Sequence, residues 1–177
     1  MIQVDSSEYK DDFSGTREKY VRITKTLMRE NKTVTTMESC TSGLIASLIT
    51  DTKGSSAVMK GAFITYSNEA KIMQGIPEEV IKSHGVYSIE TACAMAQRCR
   101  EVYGADYGIG VTGSFGNVDP ANADSVPGEV FYALTGPEGT RSYHCTVPAQ
   151  PSRYAYKMYM ADRIADCVLE MLQDYSA

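Results

Sequence analysis

Apolar positions along the chain alternate between two rhythms, one of helical spacing and one of strand spacing. Tyr20, Ile23, Leu27 and Met28 recur every three or four residues among charges, which predicts a helix over 15–32. A short β-branched strand over 33–37 follows, and then a helix over 43–51 with Leu44, Ile45 and Leu48 on its apolar face. A second strand is predicted over 61–66, with short helices over 68–73 and 77–83; Pro77 suits a first helical turn. Gly85 is the expected C-cap, and Ser88, helped by Glu90, caps a longer helix that runs to Tyr103. A third strand covers 106–112 and a loop 113–126. A hairpin pairs 127–134 with 140–147 around Gly136-Pro137-Glu138-Gly139. The last helix, over 152–174, carries Met158, Met160, Ile164, Val168 and Leu172 inward. Strands alternating with helices, plus one late hairpin, predict an α/β fold: a three-layer α/β/α single domain with a mixed, mostly parallel sheet. That domain is assigned to 15–177, and residues 1–14 to a flexible tail.

Two run ends attract attention. Met37-Glu38-Ser39-Cys40-Thr41-Ser42-Gly43 lies where a strand stops and a helix starts, and Tyr66-Ser67-Asn68-Glu69-Ala70-Lys71 lies at the end of the next strand. In an open α/β sheet those strand ends form the ligand-binding edge. A serine, a tyrosine and a lysine then share one pocket, and a desolvated lysine is a known activator of serine. Backbone N–H groups around residues 41–43 face outward at a helix N-terminus, where an anion or a developing oxyanion is stabilised. Each residue also has an ordinary role. Ser39, Thr41 or Ser42 caps the helix, Lys71 is a solvated helix lysine, and Tyr66 is a half-buried packing residue. Cys40 is a rival nucleophile, or a thiol turned into the core. Arg153, at the start of the last helix, is a surface residue or a fork for phosphate or carboxylate.

Composition narrows the classes. With 177 residues, 43% of them hydrophobic, the chain suffices for one substantial core. The formal net charge of -5 argues against a general nucleic-acid binder. The apolar run 44–49 is far below the ~20 residues that span a bilayer, and the polar, acidic start lacks the pattern of a secretory signal. Five scattered cysteines fit a reducing cytoplasm. Two histidines, His84 and His144, and no Cys-x-x-Cys pair make a metal site unexpected. Gly108-Ile109-Gly110-Val111-Thr112-Gly113 matches G-x-G-x-x-G literally, but its glycines lie inside a predicted strand and no helix follows, so the dinucleotide reading is rejected. Thr112-Gly113 still brings a hydroxyl and a flexible backbone to the sheet edge.

Glu38-Ser39-Cys40-Thr41-Ser42-Gly43, Gly54-Ser55-Ser56-Ala57, the run 61–71 (GAFITYSNEAK), His84-Gly85-Val86-Tyr87-Ser88 and Val111-Thr112-Gly113 together resemble the CinA C-terminal domain family. The resemblance runs from about Tyr20 to Leu172. That family includes nicotinamide mononucleotide deamidases, so the resemblance implies hydrolysis of the carboxamide to nicotinate mononucleotide and ammonia, in pyridine nucleotide salvage, without metal or cofactor. It implies Ser39 as nucleophile, Lys71 as base and Tyr66 as helper. Substrate contacts are expected from Thr41, Ser42, Gly43, Asn68, Thr112, Gly113 and Arg153. The implied partners are a small-molecule nucleotide and further copies of the chain, as a homodimer or higher homo-oligomer, in the cytoplasm. Three departures concern the substrate more than the fold. Ser42 stands where the family has glycine, the loop after Gly113 lacks the family's glycines and lysine, and Ser152 stands where an acidic residue precedes Arg153. Two alternatives follow, a non-catalytic binding domain and an amidase for another substrate. Arg153, Lys157 and Lys60 are the candidates to hold a 5′-phosphate.

Overall fold

A computed structural model of the chain describes residues 12–123 and 125–174. Most of the expected 1–14 tail lies outside the described residues. Helix α1 (Ser14–Arg29) leads into β1 (Val34–Glu38), α2 (Leu44–Thr50), a 3-10 turn (Ser55–Ala57) and β2 (Met59–Ile64). Then come α3 (Asn68–Met73), α4 (Glu78–His84), α5 (Ile89–Tyr103) and β3 (Tyr107–Gly113). The hairpin β4 (Glu129–Gly136) and β5 (Gly139–Thr146) precedes α6 (Arg153–Asp174). Every element predicted from periodicity is present, with ends displaced by up to three residues. The sheet order is β2-β1-β3-β4-β5. β1 pairs in parallel with β2 and β3, and the β3–β4 and β4–β5 pairs are antiparallel. The expected three-layer α/β/α fold with a mixed sheet is therefore observed.

Alternation along the strands builds two cores. Val34, Ile109, Val111, Val130, Tyr132 and Leu134 face one way, onto α1, α2 and α6, where Tyr20, Ile23, Leu27, Ile45, Leu48 and Ile164 meet them. Met37 and Ala133 face the other way, onto α5, where Met95, Cys99, Ala92 and Ala96 wait. Met28, expected inward, is 36% exposed instead. Its methyl lies over Gly54, where an added Cβ would sit 2.8 Å from it.

The glycines of the G-x-G-x-x-G run have a packing reason. A Cβ on Gly110 would lie 2.3 Å from the Ala92 carbonyl oxygen, and one on Gly108 would lie 2.2 Å from that of Ala96. The backbone of β3 therefore touches the backbone of α5, with no room for a methyl. Gly110→Ala is expected to lower stability by about 3 kcal/mol or to prevent folding, because helix backbone must move to admit the methyl. Thermal denaturation checks this, and a melting point unchanged from wild type would refute the contact.

Candidate active site

The three parallel strands end at one edge of the sheet, where an open α/β sheet binds its ligands. Ser39 follows β1, Tyr66 lies two residues past β2, and Gly113 closes β3. Between them opens a cleft of about 410 Å³, lined by Ser39, Tyr66, Asn68, Tyr87, Asp119 and Arg153 among others. That is the size of a small-molecule site.

The Ser39 turn is organised by Glu38, whose side chain is fully buried. Its carboxylate accepts five hydrogen bonds: from the Thr36 and Thr41 hydroxyls and from the Gly43, Ile45 and Ala46 amides, at 2.7 to 3.1 Å. Ser39 therefore does not cap α2. Glu38 does so from the end of the preceding strand, satisfying amides that the helix itself leaves orphaned. The chain then turns through Ser42 at φ 52 and Gly43 at φ 87. Ser42 thus occupies the left-handed region that favours glycine, and its hydroxyl donates to the Ser39 carbonyl.

Lys71 reaches this turn from α3, a short helix capped by the Ser67 hydroxyl. Only 1% of Lys71 is exposed. Its Nζ lies 3.2 Å from Ser39 Oγ and 2.9 Å from the Thr65 carbonyl oxygen. Burial pulls the ammonium down to about 8, against an opposing pull from Cys40 and Asp119. The same burial acts oppositely on an acid, and it pushes the Cys40 thiol up to about 12. Cys40 thus remains a thiol behind the turn and is a poor nucleophile. The Ser42 amide donates to the Ser39 carbonyl and the Gly43 amide to Glu38. Among the described residues, the Cys40 and Thr41 amides have no acceptor. Of the amides expected over 41–43, that of Thr41 is thus available to an oxyanion, joined by that of Cys40, while those of Ser42 and Gly43 are occupied.

Several expected contacts fall elsewhere. The Thr41 hydroxyl is buried against Glu38. The Thr112 hydroxyl is buried and donates to the Val86 carbonyl, tying β3 to the segment before α5 instead of facing the cleft. Tyr66 is 60% exposed, and its hydroxyl takes a bond from Arg153 Nη2. Asn68, Gly113 and Arg153 do line the cleft. Lys157 is not among the lining residues, and Lys60 sits at the start of β2, beside the opposite sheet edge. Sequence reasoning missed Tyr87, Asp119 and Asn122. The Asp119 carboxylate accepts from the Tyr87 hydroxyl and from Asn122 Nδ2, both at 2.6 Å, and Asn122 Oδ1 accepts from Asn68. Asp119-Pro120 in a loop at the sheet edge was the available signal.

The fold and cleft define a single α/β domain with a serine–lysine pair at the C-terminal edge of its parallel strands. The chain belongs to the CinA C-terminal domain family, whose model matches residues 17–175. It is 41% identical over 127 residues to a putative competence-damage inducible protein of Streptococcus agalactiae, covering 71% of this chain and 30% of that protein. It is 44% identical over 110 residues to a CinA-like protein of Geotalea daltonii, covering 62% of this chain and 26% of that one. The chain thus spans under a third of the length of these relatives. Among solved structures, the competence/damage inducible protein CihA from Agrobacterium tumefaciens superposes with a TM-score of 0.80 at 29% identity, covering 89% of this chain and 95% of that one. A CinA superfamily protein of Klebsiella pneumoniae shares the fold with a TM-score of 0.81 at 21% identity, over 90% and 98% of the two chains.

Glu38→Gln is expected to cost about 3 kcal/mol, because the amide replaces one acceptor by donors among groups that already donate. Chemical denaturation reads this, and a loss below about 0.5 kcal/mol would contradict the role given to the carboxylate.

Proposed function

We propose that this chain hydrolyses the carboxamide of nicotinamide mononucleotide or a close relative, with Ser39 as nucleophile and Lys71 as base. The observation that supports this best is the 3.2 Å contact between Lys71 Nζ and Ser39 Oγ at a lysine that is almost wholly buried. The family resemblance supplies the substrate, together with the expected homo-oligomer and cytoplasmic setting. In this reading the neutral Lys71 amine takes the Ser39 proton as Oγ attacks the amide carbon. The oxyanion meets the Cys40 and Thr41 amides. Lys71 then returns the proton to the nitrogen as the C–N bond breaks, releasing ammonia and leaving an acyl ester on Ser39. Water attacks that ester while Lys71 accepts its proton, Ser39 regains a proton, and the carboxylic acid departs. Arg153 holds the Tyr66 hydroxyl at the cleft wall, so Tyr66 acts on substrate position.

Ammonia release from nicotinamide mononucleotide tests the reading directly. Ser39→Ala is expected to lower kcat by roughly 10³-fold or more. Equal release by both proteins would assign the activity to another nucleophile or a contaminant, and no release from the folded wild type would favour a binding domain or an altered substrate.

The lysine also makes a pH prediction. Only the neutral amine is a base, so kcat/KM should rise with pH and level off above about 8. Stability follows the same group. Its folded pKa lies below the ordinary lysine value of 10.5, so the unfolded chain binds more protons between about 8 and 10.5. Wild-type stability should therefore rise across that window relative to Lys71→Met, by an amount on the order of 3 kcal/mol. Below about pH 8 both states are protonated and the cost of burying the ammonium is fully present. Parallel pH–stability curves for the two proteins would remove the depressed lysine from the mechanism.

A further inference from the structure

We propose that Asp119, Asn122, Asn68 and Tyr87 form a wall that reads the sugar hydroxyls of a nucleotide amide, with Asp119 as the acceptor that sets specificity for them. This deepens the hydrolase reading and rests on it.

The wall comes from three separate parts of the chain: Asn68 from the start of α3, Tyr87 from the segment before α5, and Asp119 and Asn122 from the loop after β3. All four line the cleft that contains Ser39, and all four are half-buried. Their side chains form one hydrogen-bonded chain. Asn68 Nδ2 donates to Asn122 Oδ1 at 2.8 Å, and Asn122 Nδ2 and the Tyr87 hydroxyl both donate to Asp119 Oδ2 at 2.6 Å. The Ala121 amide donates to Asp119 Oδ1 at 3.0 Å. Three bonds thus fix the carboxylate before any ligand arrives, as a group that discriminates between ligands must be fixed. The Tyr87 hydroxyl and then the Asn122 amide, with smaller contributions from the Ala121 amide and Lys71, hold its carboxyl below the ordinary value. Asp119 is therefore an ionised acceptor at neutral pH, within electrostatic reach of the lysine that meets Ser39.

The hydrogen-bonding capacity left on the wall matches hydroxyl groups. Among the described residues, Asp119 Oδ1 accepts from the Ala121 amide alone and keeps a lone pair, and Asn68 Oδ1 has no donor. Asn68 Nδ2 keeps its second hydrogen. Acceptors and a donor therefore stand on one wall. A hydroxyl is both donor and acceptor, so neighbouring hydroxyls of a sugar fill both kinds of group at once. A carboxylate that accepts from a ribose hydroxyl is the device that dinucleotide-binding folds use for the same task. A phosphate carries no hydrogen for Asp119 and is repelled by it. It finds Arg153 instead, whose Nε and second Nη2 hydrogen have no acceptor among the described residues. An apolar group would leave the carboxylate and the amides unpaired, which costs binding. A mononucleotide thus meets a separate partner with each of its parts: the amide at Ser39 and Lys71, the sugar at the Asp119 wall, and the phosphate at Arg153.

The test compares nicotinamide mononucleotide with its 2′-deoxy and 3′-deoxy analogues on the full chain, by ammonia release with wild type and by calorimetric binding with Ser39→Ala. At least one analogue should raise KM by about tenfold or more, the scale of one hydrogen bond to a charged acceptor, with kcat within about threefold. Asp119→Asn should raise KM for the mononucleotide and shrink that penalty to about threefold or less. A substitution that only loosened the fold would weaken all three substrates alike and leave the ratios between them intact. Wild-type penalties below about threefold for both analogues, or a penalty that survives Asp119→Asn undiminished, would overturn the inference and leave the hydrolase reading standing. No ammonia from the mononucleotide would overturn the hydrolase reading for this substrate. Binding to Ser39→Ala then decides the sugar contact alone: a deoxy analogue held about tenfold more weakly than the mononucleotide supports it, and equal binding, or none, sinks it.

Discussion

The buried carboxylate of Glu38 is the constraint on which the site depends. A carboxylate with no exposed surface costs several kcal/mol in lost hydration unless its lone pairs are filled. Here five donors fill them, three of them backbone amides from Gly43 and the first turn of α2. The chain from Ser39 to Gly43 must therefore curl round the carboxylate at the end of β1. That curl needs two consecutive left-handed residues, one of them a serine. The strain is local and is held by the surrounding bonds, as backbone strain at functional sites commonly is. One outcome is that Ser39 does no capping and its hydroxyl is left to face Lys71.

Burial then sorts the chemistry among neighbours. Lys71 and Cys40 share a poorly solvated region behind the turn. Low dielectric disfavours the charged form of each, so it brings the lysine down to about 8 and pushes the thiol up to about 12. A neutral amine is the form that takes a proton, whereas a neutral thiol is the form that does not attack. In the proposed mechanism, one physical effect thus prepares the base and quiets the rival nucleophile. The cost falls on stability below about pH 8, where the ammonium is buried with the Thr65 carbonyl and the Ser39 hydroxyl as its partners among the described residues.

The fold was legible because it follows from periodicity. Alternation in β3 and β4 and helical spacing in α1, α5 and α6 report burial directly, and the run ends that periodicity defines brought Ser39 and Lys71 to one edge. Partner choice was less legible. Ser39, Thr41 and Thr112 are equivalent in sequence as small hydroxyls at run ends, yet one faces Lys71, one faces Glu38 and one faces Val86. That difference is set by tertiary placement of the acceptors, which local spacing does not encode. Glu38 was hidden for the same reason: a carboxylate that ends a strand reads as exposed until five donors close over it. Asp119 and Tyr87 lie 32 positions apart and meet only through the packing of the loop.

That packing links the cleft to the glycines of β3. Gly108 and Gly110 let α5 lie directly on the strand, and the same approach places the segment before α5 beside the end of β3. There the Thr112 hydroxyl fixes the Val86 carbonyl, and the next residue, Tyr87, projects to Asp119. The wall opposite Ser39 is therefore carried by the rigid core, while its outer side is made by the loop after β3. Ser39 and Lys71 belong to a turn and a helix held by buried groups. Asp119 and Asn122 belong to a loop whose bonds are mostly internal to it. Such a division lets substrate preference change by loop substitution with little disturbance of the serine–lysine geometry, and the loop is where this chain departs most from the pattern of the family it resembles.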